Sequence, residues 1–162
     1  MNTKYKIFKL QSLKSKLNSL RAGGKRIAFT NGCFDILHFG HVSYLEAAKK
    51  DNRVLVIGLN SDQSICKIKG PQRPIIAQDK RAALLAALQC VDFVTIFNEE
   101  TPLKVIRVLK PDILIKGADW KGKDVIGSEV VKSYGGHVEY ISYIPGCSTT
   151  EIIEKITHGS NY

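Results

Sequence analysis

Thr30-Asn31-Gly32-Cys33-Phe34-Asp35-Ile36-Leu37-His38-Phe39-Gly40-His41 is the stretch on which the reading of this chain turns. Before it lies the short apolar run 26–30, Arg-Ile-Ala-Phe-Thr, flanked by glycines and suited to a strand covered on both faces, as in a parallel sheet. After it comes a stretch with Val42, Leu45, Ala47 and Ala48 at helical spacing, expected to end near residues 51–52. Residues 54–59, Val-Leu-Val-Ile-Gly-Leu, form the clearest buried strand of the chain. Strand, helix and strand within about thirty residues make a βαβ unit, whose crossover is right-handed almost without exception.

Working outward, Leu10, Leu13, Leu17 and Leu20 recur at spacings of three and four, so 9–22 is expected to be a helix, stopped by Gly23-Gly24. Asn60-Ser61-Asp62 ends the second strand and offers a cap to a helix starting near Asp62. Gly70, Pro71 and Pro74 make 67–77 a loop that carries Lys67, Lys69 and Arg73. A helix over 78–89 with Arg81 in its first turn, a strand over 93–97, a helix opened by Thr101-Pro102 and a strand over 113–116 follow. The last third gives a helix over 125–134, a strand over 138–141, a loop through Pro145-Gly146 and a helix over 148–156. Five strands alternating with helices define an α/β domain: a Rossmann-like, five-stranded parallel sheet with helices on both faces, preceded by an N-terminal helix.

The 162 residues, 44% of them hydrophobic, suit one domain with a sizeable core. Residues 1–25 are expected to form a basic helical arm and 26–162 the domain proper. No run approaches the roughly 20 apolar residues that span a bilayer, and the N-terminus lacks the apolar core of a secretory signal. A cytoplasmic protein without a membrane partner is expected. The four cysteines are scattered, which argues against both disulfides and zinc clusters. Of the net charge of +9, residues 1–26 carry +8 and the remainder +1. The excess therefore belongs to the arm, most simply a helix with a solvated lysine face, and no nucleic-acid partner is expected.

In such a sheet, ligands bind beyond the carboxyl ends of the strands. The strand-end segments 31–41, 60–73, 97–101, 116–123 and 142–150 collect glycines, lysines, histidines and hydroxyl residues. Backbone N–H groups of the Gly32 turn and of the following helix N-terminus suit a phosphate, and His38 and His41, three apart, project on one side of the first helical turn. Phosphoryl or nucleotidyl transfer chiefly needs positioning and charge stabilisation. If the attacking group is itself a phosphate, it is already anionic at neutral pH and no general base is required. From the residues alone, a zinc site lacking an evident third ligand and an ordinary structural histidine pair remain open beside the phosphate reading.

Residues 32–41 resemble the G-x-F-D-x-x-H-x-G-H signature of the cytidylyltransferase-like nucleotidyltransferases, and Ser148-Thr149-Thr150 resembles that family's C-terminal serine-threonine motif. Asn60-Ser61-Asp62, Lys69-Gly70 with Arg73-Pro74, Val91-Asp92, Thr101-Pro102, Pro111-Asp112, Lys116-Gly117-Ala118-Asp119-Trp120 and Gly135-Gly136 extend the likeness to the adenylyltransferases that activate D-glycero-β-D-manno-heptose 1-phosphate. The resemblance implies transfer of AMP from ATP to that sugar phosphate, with Mg²⁺ held mainly by the ATP phosphates, for the lipopolysaccharide inner core. It implies a stand-alone form of an activity elsewhere fused to a kinase, and a homodimer. It also implies roles. His38 and His41 would stabilise the transition state, with Lys69 in a mobile anion clamp. Thr30, Asn31, Gly32, Cys33, Phe34 and Gly40 would hold the triphosphate. Ser148, Thr149 and Thr150 would bind phosphates from the opposite side, with Lys116, Gly117, Asp119 and Trp120 near the nucleotide. Asp35, Asn60, Asp62, Lys69, Arg73 and Arg81 are candidates for the sugar phosphate or the clamp.

Plainer readings stand beside these. Asp35 could accept hydrogen bonds from its own turn, Asp62 could be a cap, Arg81 a surface ion pair, the 67–69 lysines a solvated loop and Trp120 packing. Two other functions compete. A cytidylyltransferase acting on glycerol 3-phosphate shares both motifs, but usually has an acidic residue at the position of Ala118 and Thr at that of Cys33. A non-catalytic nucleotide or nucleic-acid binding module would rely on the basic arm, and its affinity would fall steeply with salt.

Overall fold

The computed structural model describes residues 3–142 and 146–159. Five strands, β1 (Arg26–Gly32), β2 (Arg53–Asn60), β3 (Phe93–Phe97), β4 (Ile113–Gly117) and β5 (His137–Ile141), form one all-parallel sheet in the order β3-β2-β1-β4-β5. The chain builds outward from β1 to β3 and then returns to place β4 on the other side of β1. The strand order therefore reverses at β1, and the crevice above its carboxyl end is where such sheets bind ligands. This is a Rossmann-like fold, as the alternation of elements implied.

The described residues form seven α-helices: α1 (Leu10–Ala22), α2 (Phe39–Ala48), α3 (Asp62–Lys69), α4 (Gln78–Ala87), α5 (Leu103–Leu109), α6 (Ser128–Lys132) and α7 (Thr149–His158). Side chains alternate between sheet faces, so consecutive strand residues enter different cores. Ala28, Leu55, Ile57, Ile113 and Ile115 pack with Leu45 of α2 and Leu85 of α4. Ile27, Phe29, Val56 and Leu114 pack with Leu13 and Leu17 of α1, Ile106 of α5 and Val131 of α6. The leucine stripe of the N-terminal helix is thus core, and Leu13 and Leu17 are fully buried. The segment before α1 also caps the sheet edge: Ile7 bridges Val94 in parallel, the Phe8 N–H donates to the Val94 carbonyl at 2.9 Å, and Lys6 Nζ donates to the carbonyls of Leu88 and Val91. An edge so covered is closed to further strand pairing.

Several boundaries differ from the sequence reading. β1 continues through Asn31 and Gly32 because β2 still offers partners there, Gly58 and Leu59; the turn falls at Cys33 and Phe34 instead. α2 stops at Ala48, since Lys49 is extended and its ammonium holds Asp92 and the Arg53 carbonyl. Lys67 and Lys69 belong to the last turn of α3, not to a loop, because nothing breaks the helix before Gly70, at φ 95°. α6 starts only at Ser128, because Gly127 sits at φ 90° and Val125 tucks into the core as irregular chain. Short 3₁₀ turns at Thr3–Lys6 and Ala118–Trp120 had no sequence signal. Pro145, expected in the last loop, lies outside the described residues.

Candidate active site

The carboxyl ends of β1 to β4 and the N-termini of α2 and α7 surround a cleft made of two communicating cavities. One, of about 510 Å³, runs from Lys116, Gly117, Asp119 and Trp120 past Asn31, Gly32, Cys33, Phe34 and His41 to Asn60, Glu100 and Pro102. The other, of about 300 Å³, is lined by His38, Gly40, His41, Lys69, Cys147, Ser148, Thr149 and Thr150. His41, Tyr44, Gly117 and Asp119 line both, so they mark the junction.

The turn after β1 is shaped by Phe34, a non-glycine residue at φ 44° whose ring is buried. Such a conformation costs of order 1 kcal/mol or more and persists only where its surroundings enforce it. The ring packs against His41 at 5.0 Å between centroids and lies under Gly32, where a Cβ would meet it at 3.0 Å. His38 is the N-cap residue of α2 and His41 lies in its first turn. Their rings stack 3.8 Å apart at 25°. Burial, with the neighbouring His38 charge adding to it, pushes the His41 pKa down to about 4, and burial lowers His38 as well, partly opposed by Glu151. Both rings are therefore neutral at pH 7. The Nδ1 atoms of both are buried without a hydrogen-bond partner among the described residues. Buried polar atoms are costly unless something pairs with them.

α7 approaches α2 end to end. A Cβ on Gly40 would lie 3.0 Å from both the Cβ and the carbonyl oxygen of Cys147, so glycine is what lets the two N-termini meet. Each contributes the positive end of a helix dipole and first-turn N–H groups that have no intrahelical acceptor. At α7 a capping box fixes the start: Ser148 Oγ accepts the Glu151 N–H at 3.1 Å, and the Ser148 N–H donates to Glu151 Oε2 at 2.9 Å. Thr149 and Thr150 open the helix on the cavity wall.

On the β4 side Lys116 is 9% exposed, donates from Nζ to Asn31 Oδ1 at 2.7 Å and lies 5.4 Å from the centre of the Trp120 ring. Burial brings its pKa down to about 8, with Asp119 pulling the other way. The Cys33 thiol is pushed up by burial, although Lys69, Arg81 and Arg73 oppose this. It is protonated at neutral pH, which does not suit a nucleophile.

Five residues expected at the site line neither cavity but stand behind it. Thr30 is buried and shares a 2.8 Å hydrogen bond with the Tyr44 hydroxyl. Asp35 accepts from the N–H groups of Ile75 and Ile76 and pairs with Arg73 at 2.7 Å, so it binds the 70–76 loop rather than its own turn. Those bonds hold its carboxyl below its usual range, although burial, the largest single influence, acts against them. Arg73 turns its Nε to that carboxylate, while its buried Nη2 makes no hydrogen bond among the described residues. Asp62 is not the N-cap of α3; Ser61 is, its Oγ accepting the Ser64 N–H, while Asp62 exchanges hydrogen bonds with Gln78 and pairs with Arg81. Arg81 is neither a surface ion pair nor a rim residue. Its side chain is fully buried and its guanidinium donates to the carbonyls of Ile76, Cys33 and Asn60 and to Asp62. Backbone carbonyls from three segments converge there, which no pattern in a linear chain announces.

The sequence reading did not single out Tyr44, Glu100, Pro102, Ile68 and Ile126 as lining residues. Ile68 and Glu100 lay within strand-end segments placed at the rim, Pro102 stood in a quoted motif, and Tyr44 lies three residues beyond His41 on the same helix face.

The chain is 52% identical over 155 residues to the bifunctional protein HldE of Geotalea uraniireducens and 59% identical over 133 residues to that of Campylobacter fetus, covering 96% and 82% of this chain. It spans only about a third of those relatives' length, 32% and 28%. Among solved structures, the lipopolysaccharide core biosynthesis protein from Thermoplasma volcanium superposes with a TM-score of 0.59 at 30% identity, over 74% of this chain and 96% of that one. The family model described as cytidylyltransferase-like matches residues 29–155, a span that contains the carboxyl half of β1, all of β2 to β5 and both helix N-termini of the cleft. The chain belongs to the cytidylyltransferase-like family.

Proposed function

We propose that the chain transfers AMP from ATP to D-glycero-β-D-manno-heptose 1-phosphate, giving ADP-heptose and pyrophosphate for the lipopolysaccharide inner core. The observation that carries this is the meeting of two helix N-termini at Gly40 and Cys147 beside a stacked, neutral histidine pair with Lys69 on the same wall. Such a wall suits a polyanion: dipoles and N–H groups supply the attraction, and the histidines donate hydrogen bonds without first losing a proton. The β- and γ-phosphates of ATP lie in the smaller cavity, between α2 and α7. The α-phosphate lies at the junction, near His41. An oxygen of the sugar phosphate attacks the α-phosphorus; a P–O bond forms there, the bond from the α-phosphorus to the bridging oxygen breaks, and pyrophosphate leaves with the electron pair.

His38 and His41 stabilise the charge that grows on the leaving oxygen, and no group need take a proton from the attacking phosphate. Lys69, at the exposed end of α3, lines the same cavity and reaches the phosphates from there. Lys116 and the turn at Ala118–Trp120 hold the nucleoside side. The described residues include no group of three His, Cys, Asp or Glu side chains placed to hold a metal ion. In this reading Mg²⁺ arrives as part of the substrate, Mg-ATP, bound by its phosphates. The same reading makes the protein a cytoplasmic homodimer without nucleic-acid or membrane partners; among the described residues no helix is long and apolar enough to cross a membrane.

Pyrophosphate release measured with ATP or CTP against heptose 1-phosphate or glycerol 3-phosphate tests the reading. ATP with heptose 1-phosphate is expected to turn over fastest, and His38→Ala and His41→Ala each to lose about 10²–10³-fold in kcat. Turnover confined to CTP with glycerol 3-phosphate would overturn it.

A further inference from the structure

The larger cavity carries a feature that nucleotide binding does not use. Its far end, above β2 and β3, is lined by Asn60, Ile68, Glu100 and Pro102. Glu100 is exposed, and among the described residues its carboxylate makes no hydrogen bond or ion pair, whereas its neighbour Glu99 is paired with Lys104 at 2.7 Å. Yet the backbone beside Glu100 is held in place. Asn60 Nδ2 donates to Ser64 Oγ at 2.9 Å, Ser64 Oγ donates to the Glu99 carbonyl at 2.8 Å, and the Ser61 N–H donates to the Phe97 carbonyl at 2.9 Å. A free carboxylate on a braced loop, next to a buried carboxamide in a corner whose other walls are Ile68 and Pro102, is a receptor for hydroxyl groups. It is unsuited to a phosphate, which it repels.

The two ends of the cleft therefore differ in charge. Helix N-termini, histidines and Lys69 favour anions at the α7 end, Glu100 disfavours them at the β3 end, and Lys116 and Asp119 stand between with opposite charges. We infer that Glu100, with Asn60, binds the hydroxyls of the acceptor sugar and so sets both the sugar's orientation and the enzyme's preference for a polyhydroxylated acceptor. The sugar phosphate is directed toward the junction at His41, and the neutral ring lies toward β3. Vicinal hydroxyls offer two donors to one carboxylate, and hydrogen bonds to a charged group are the strong ones. This inference rests on the adenylyl-transfer reading for its substrate, but its observable does not.

The chain has one tryptophan, Trp120, and its ring lines the same cavity, so its fluorescence reports occupancy. Titration with heptose 1-phosphate, and separately with Mg-ATP and with inorganic phosphate, is compared in the wild type, Glu100→Gln and the control Glu99→Gln. In Glu100→Gln the apparent Kd for heptose 1-phosphate is expected to rise at least tenfold, about 1.4 kcal/mol, with the values for Mg-ATP and phosphate unchanged; Glu99→Gln should match the wild type throughout. In turnover the same variant raises KM for the sugar phosphate and lowers kcat/KM for it at least tenfold, with KM for ATP unchanged. An unchanged Kd for the sugar phosphate, or a change that falls on Mg-ATP instead, overturns the inference. Absence of pyrophosphate release in the wild type would remove the catalytic reading, while the fluorescence titration would still decide whether Glu100 binds the sugar.

Discussion

Replacing Arg81 by Met probes how the site is held from below. The Arg81 guanidinium donates from Nε to the Ile76 carbonyl at 2.8 Å, from Nη1 to the Cys33 carbonyl at 2.5 Å, and from Nη2 to the Asn60 carbonyl at 3.0 Å and Asp62 Oδ1 at 2.7 Å. Its side chain is fully buried. Methionine fills much of the stem's volume but leaves three carbonyls unpaired, each costing about 1 kcal/mol. The Asp62 side chain is 41% exposed, so water takes over that carboxylate and the lost ion pair adds less than about 1 kcal/mol. The total is about 3–4 kcal/mol, or a fall in Tm of roughly 10 °C for a domain of this size. Urea unfolding followed by circular dichroism measures it. Lysine should recover little, since one ammonium cannot reproduce a fork that reaches four acceptors. A loss below about 1 kcal/mol in the methionine variant, or full recovery by lysine, would refute the reasoning.

Three further outcomes follow from the site. His41 has a folded pKa of about 4 against roughly 6.5 unfolded, so the unfolded chain binds the extra proton between those values and stability is lost as pH falls through that window. Unfolding at pH 7 and pH 4 should show a wild-type loss of up to about 3 kcal/mol that His41→Asn removes; parallel pH curves for the two proteins would contradict the assignment. Lys116, held near 8 by burial, gives up its charge between pH 7 and 9, so kcat/KM should fall on the alkaline side and Lys116→Arg should move that limb above pH 9. An alkaline limb left in place by the arginine would show that Lys116 does not cause it. Gly40→Ala places a Cβ 3.0 Å from Cys147 and forces the two helix N-termini apart, which is expected to raise KM for ATP about tenfold with little change in Tm; an unchanged KM would mean that the close approach is not needed.

The parallel sheet was legible because β1 and β2 are buried on both faces and so read as nearly continuous apolar runs, and because glycines and prolines mark most joins. Errors cluster where a neighbour decides the boundary. Asn31 and Gly32 look like turn residues, yet β2 holds them in the sheet; Gly70, not the basic composition of 67–69, ends α3. The cleft was legible in part for a related reason: parallel strands send all their carboxyl ends to one edge, so the segments after them must lie near one another. Which side of that edge each side chain serves was not legible. Asp35 and Arg81 carry the same charges as rim residues would, and only their buried partners, the 70–76 loop and the Cys33 turn, show that they brace the site from behind.

Local spacing alone determined the βαβ start, the histidine pair on the first turn of α2 and the leucine face of α1, since each depends on neighbours within four residues along the chain. Only the tertiary structure decided that α7 meets α2 at Gly40, that burial leaves both histidines neutral, and that Glu100 faces the cleft with its charge unpaired. Each of these depends on which distant segment excludes water from, or approaches, a given atom, and that is a property of packing in three dimensions.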